Sequence, residues 1–167
     1  LKEIPPELMR ILAAARHPGA AEGVAPVVGE LRDRGHDVLL VGVGGDSPQA
    51  RAGGGSTAVF ESQGLPYTVL SELGYDGHPA RVPEQLGRTL IRSYRPDRIL
   101  VGCSFDYVPG DHLGIEEVLI AAGARSSLEV VQIVEAWGVW THRPEVPLAT
   151  RYATLDGLSA KIMVARG

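Results

Sequence analysis

Three things are scarce in this chain of 167 residues: cysteine, surplus positive charge and long apolar runs. The lone cysteine, Cys103, excludes an internal disulfide and a zinc site built of cysteines. It fits a reducing, cytoplasmic setting. Lysine and arginine number 16 against 20 aspartates and glutamates, a formal charge of −4. Without a basic excess, nothing argues for nucleic acid as a partner. No apolar run approaches the roughly 18 residues of a membrane span. No signal peptide is legible, and the chain opens on Leu1 rather than methionine, as a trimmed N-terminus would.

Several motifs are missing as well. The stretch GVGGD lacks the glycine spacing of a dinucleotide site, and HPGAAEG stands after the first strand, where that fingerprint belongs. No Walker A sequence and no GxSxG elbow occur. The stretch DHLGIEE is a poor approach to metal-ligand spacing. No metal or cofactor is therefore expected.

What is present is an ordinary globular balance, 44% hydrophobic and 22% charged. A chain this long buries enough surface to fold without staples, and its length suits one domain over residues 1–167. Its 21 glycines and 12 prolines fall mostly between apolar runs, which marks loops. The first run, Ile11 to Ala15, is a strand. Val24, Val27, Val28 and Leu31 then recur at helical spacing, and Gly35 closes that helix. HDVLLVGVGG reads as a strand buried on both faces. A long flexible loop follows, then a short helix near Ala58 to Gln63, and LPYTVLS as a third strand. Pro83 opens a helix carrying Leu86, Leu90 and Ile91, and RPDRILVGC is the fourth strand. Ile115, Val118, Leu119 and Ala122 mark another helix, and SLEVVQIVE the fifth strand. After a polar, aromatic loop, AKIMVA reads as a sixth.

Strand and helix alternate at least four times, which argues a three-layer α/β fold. The sheet is expected to be Rossmann-like, doubly wound and mostly parallel, of about six strands. Right-handed crossovers favour the order 3-2-1-4-5 with the last strand beside the fifth. Ligands then belong outside the carboxyl ends of the strands, where strand order reverses between strands one and four. Helix N-termini expected at 22, 56 and 114 point into this rim, and suit a phosphate or carboxylate.

The rim residues each admit two readings. His17, just past strand one, is a loop-bracing histidine, or a base or ligand anchor. Glu116 and Glu117 open a helix, where acidic residues are favoured with or without chemistry. Cys103 closes a buried strand and reads as packing before nucleophile, because Asp106 and His112 make no Cys-His-Asn signature with it. Ser104 is a ligand contact or a turn cap. Glu135 ends the fifth strand beside Trp137, Trp140, His142 and Arg143. That aromatic, charged loop suits a sugar, a nucleobase or a protein partner, or else the tryptophans cover the sheet end.

The stretch HPGAAEGVAPVVGELRDRGHDVLLVG is similar to the opening of GT-B glycosyltransferases and of UDP-N-acetylglucosamine 2-epimerases. The later stretch, GCS through GIEEVLIAAGAR to EVVQIVEAWGVWTHR, resembles a bacterial branch of that superfamily, and LDGLSAKIMVA resembles the strand leading to its linker. The resemblance implies an N-terminal-type domain with Gly19, Ser104, Glu116, Glu135, Trp137 and Arg143 among its functional positions. It further implies a second Rossmann-like domain holding most of the donor, supplied here by a partner chain or a second copy.

The expected function is thus glycosyltransferase-like binding of a sugar, nucleotide-sugar or acceptor. Glu135 or His17 would act as base, with Gly19, Ser104, Asp106, Glu116, Trp137, Trp140, His142 and Arg143 as ligand contacts. A nucleotide-sugar donor would enter as substrate. Two rivals stay open: a non-catalytic binding or scaffold module, and a small stand-alone hydrolase or isomerase.

Overall fold

The computed structural model describes residues 8–44, 55–79, 81–103, 113–134 and 145–154. Six strands form one sheet: β1 (Arg10–Ala15), β2 (Asp37–Gly42), β3 (Thr68–Val69), β4 (Arg98–Val101), β5 (Glu129–Val134) and β6 (Arg151–Thr154). Their order is β3-β2-β1-β4-β5-β6, and every pairing is parallel. The expected doubly wound layout is the observed one. The register runs Ala13 against Leu40 on one side of β1 and Leu100 on the other.

Four described helices connect the strands: α1 (Pro18–Asp33), α2 (Ser56–Ser62), α3 (Glu84–Tyr94) and α4 (Ile115–Arg125). The alternation of side chains along β1 shows how they are layered. Leu12 and Ala14 join the cluster that holds Leu90, Val118 and Leu119, the face under α3 and α4. Ile11, Ala13 and Ala15 join the cluster that holds Val24, Val28 and Phe60, the face under α1 and α2. A central strand buried on both faces must be apolar at every position rather than at every second one. This is why Ile11 to Ala15 carries no polar residue.

Several boundaries differ from expectation, among them β3, which is only Thr68–Val69 where the whole of LPYTVLS is expected as a strand. Helix α1 begins at Pro18, not at residue 22. Proline suits the first helical position because its missing N–H would have no intrahelical partner there. Gly35, at φ +88°, follows the last turn as expected. The strand beside β5 is Arg151–Thr154, within a stretch expected to be loop. Its alternating exposed and half-buried side chains give it no apolar run to advertise it. The expected strand AKIMVA lies outside the described residues.

Candidate functional site

The carboxyl ends of β1 and β4 meet where the strand order reverses, and the chain crowds there. Gly102, just past β4, donates its N–H to the carbonyl of Ala14 at 3.0 Å and so extends the ladder. A Cβ on Gly102 would lie 2.6 Å from the Cβ of Ala20 in the first turn of α1. Only glycine lets the helix come this close to the strand end. Gln132 of β5, nearly buried, donates from Nε2 to the Gly102 carbonyl at 3.3 Å.

Past β1 comes Arg16, only 5% exposed, and then His17, the half-buried N-cap of α1. The Arg16 backbone N–H donates to Glu116 Oε1 at 2.6 Å. Arg16 Nε stands 3.9 Å from Glu116 Oε2. A side chain from the first turn of α4 thus ties down the loop that launches α1, 100 residues earlier in the chain. Glu117 Oε2 accepts the Gly114 N–H at 2.9 Å, the backward half of a capping box. The forward half needs an N-cap side chain that glycine lacks. Here the missing side chain is required, because a Cβ on Gly114 would come within 2.7 Å of Arg16 Nη1.

Glu116 is 1% exposed, and its carboxyl pKa is pushed up to about 7. Burial is the main cause, Arg16 pulls the value back down, and Glu117 adds a further push upward. The pair therefore sits near the balance between desolvation and mutual attraction that governs buried ions. Chemically it can hold or release a proton close to neutrality. Its enclosed carboxylate faces Arg16, so its first service is to fix the β1–α1 turn.

Of the residues singled out from sequence, the structure brings His17 and Glu116 to one junction, linked through Arg16. Gly19 lies exposed in the first turn of α1. Ser104, Asp106, Glu135, Trp137, Trp140, His142 and Arg143 lie outside the described residues. Cys103 is 4% exposed and packs with Val134 and Tyr152, as the packing reading requires. Arg16 and Gln132 were missed. Arg16 had a signal, a charge directly after a fully apolar strand; Gln132 sits inside an apolar strand and had none. Among the described residues, no group of three or more His, Cys, Asp or Glu side chains could hold a metal ion. Among them, too, no helix is long and apolar enough to cross a membrane.

The sheet and its two helical layers define the chain's class, a doubly wound parallel α/β fold of Rossmann-like type. No family model matches the chain, and no curated protein matches its sequence. Among solved structures it is similar to SsfS6, a glycosyltransferase of Streptomyces sp. SF2575, at 15% identity and a TM-score of 0.43. The match covers 75% of this chain and 39% of SsfS6, so the chain spans well under half of that enzyme's length. The likeness says nothing of substrate or reaction.

Proposed function

We propose that this chain is a glycosyltransferase-like domain. It binds a sugar, nucleotide-sugar or acceptor at the carboxyl edge of its sheet, and a second chain or second copy completes the site. The observation that carries the reading is the convergence at the β1–β4 junction. There the N-termini of α1 and α4 open beside one another, with His17 at the first and the Arg16–Glu116 pair between them. Helix N-termini present unpaired N–H groups and a partial positive charge, which favour the phosphates of a nucleotide-sugar. The resemblance of residues 17–42 to GT-B openings points the same way.

In a transfer, His17 or Glu135 takes the proton of the acceptor hydroxyl as that oxygen attacks the sugar's anomeric carbon. The bond to the donor phosphate breaks, and the helix N-termini steady the charge that the phosphate gains. Calorimetric titration with UDP-N-acetylglucosamine, alone and with any captured partner chain, tests this. Saturable binding weakened about tenfold or more by His17→Ala supports it. No binding in either setting removes it.

One observation favours a non-catalytic module instead: Glu116, the most deeply buried acid at the junction, is engaged with backbone and Arg16. On that reading, ligand binding survives while substitutions at His17 and Glu135 leave the biological activity intact. The burial of Cys103 weighs against a thiol-dependent hydrolase.

A further inference from the structure

A second cleft, of about 880 Å³, opens at the carboxyl ends of β2 and β3. Small-molecule sites have volumes of this order, an apolar floor and a few convergent polar groups. Val43 and Leu70 supply the floor. Thr57 and Glu61 of α2 line it together with Tyr67, Tyr75 and Asp76.

The walls are braced. The Tyr67 hydroxyl donates to Glu61 Oε1. The Tyr75 hydroxyl lies 2.6 Å from the Arg81 carbonyl and 3.0 Å from that of His78, which holds the outer loop in place. Thr57 is 8% exposed and brings a hydroxyl to the lining of the cleft.

Charge narrows the ligand. Glu61 and Asp76 bring two carboxylates against one histidine, His78, and neither lysine nor arginine is among the described lining residues. Such a lining repels phosphates and carboxylates and attracts an ammonium group. The faces of Tyr67 and Tyr75 suit both a sugar ring and a cation. We propose that this cleft binds a small polyhydroxylated molecule bearing a protonated amine, an amino sugar by chemical class. The site is separate from the β1–β4 junction and stands whether or not that junction binds a nucleotide-sugar.

Titration of the isotope-labelled full chain with glucosamine, glucose and glucose 6-phosphate, followed by amide NMR, tests the proposal. Glucosamine shifts the amides of Thr57, Glu61, Tyr67, Tyr75 and Asp76 and binds tightest, and glucose 6-phosphate binds weakest. The double variant Glu61→Gln with Asp76→Asn weakens glucosamine about five- to tenfold, the scale of two partly exposed ion pairs. Raising the salt concentration weakens glucosamine but not glucose. Thr57→Val weakens glucosamine and glucose alike. Overturning results are no shifts in the cleft, a phosphate ester that binds as well as the amine, or glucosamine affinity indifferent to salt and to the double variant. Nucleotide-sugar binding at the other junction shifts Arg16, His17 and the start of α4 instead, so the two readings fail separately.

Discussion

Glu116 braces the β1–α1 turn, and its burial raises its carboxyl pKa. Its carboxyl is held up to about 7 in the fold, against an ordinary 4.5 that the unfolded chain adopts. Between those values the native state keeps a proton that the unfolded state has released. This group's contribution to stability therefore falls as pH rises from about 4.5 to about 7, and is level above that. Urea unfolding at pH 5 and pH 7.5 measures the effect. Glu116→Gln keeps an acceptor for the Arg16 N–H and removes the titration, so the variant's midpoints differ less between the two pH values than the wild type's. Glu116→Ala removes the acceptor and strands the buried guanidinium. It is expected to cost about 3 kcal/mol or more, the usual consequence of breaking a buried pair from one side.

The elements are joined at two opposite edges of the sheet. At the carboxyl edge, the tight approach of α1 to the end of β4 depends on Gly102. Gly102→Ala must push them apart, at about 1–3 kcal/mol by the measure of overpacked cores. Because α1 carries His17, the same variant is expected to weaken ligand binding at the junction, which calorimetry reads directly. At the amino edge, the last residue of α3, Tyr94, donates to the Asp37 carbonyl at 2.8 Å and accepts the Leu39 N–H at 3.1 Å. Burial, above all, raises this phenol's pKa to about 12, so it stays a neutral donor at physiological pH. The guanidinium of Arg10 lies 4.4 Å from its ring centre. Tyr94→Phe is expected to lose about 1–2 kcal/mol in thermal or urea unfolding. Ligand binding should be unchanged, since the substitution falls at the edge away from the site.

At the scale of the whole molecule, the sheet is unequal across its width. Strands β1, β2, β4 and β5 lie between two helical layers, whereas β3 is two residues long and β6 is half exposed. Native-state hydrogen exchange is expected to follow that gradient. Amides of β1 and β4 exchange only with global unfolding, while those of β6 exchange earlier through local opening. Equal protection in β6 and β1 would show that the edge is held by more than the contacts described above. The same geometry separates the two proposed ligand sites along one rim. The β1–β4 junction carries two helix N-termini, and the β2–β3 cleft carries two carboxylates. They suit ligand groups of opposite charge.

The sequence alone determined the class of fold and the order of the first five strands. Alternating apolar runs and helical spacings are local signals, and the handedness of crossovers leaves few ways to assemble them. It located His17 and Glu116 at the rim, and it read Cys103 as packing from its place at the end of a buried strand. It did not reveal that Glu116 reaches across 100 residues to the backbone of Arg16, because a side-chain-to-backbone contact leaves no pattern in composition. Nor did it find the β2–β3 cleft, whose lining comes from four separate stretches of chain. The edge strand Arg151–Thr154 was hidden for a related reason: at the margin of a sheet, pairing is sustained by backbone hydrogen bonds with little apolar burial. Only tertiary structure decides such features, since they depend on which distant residues the fold brings within reach.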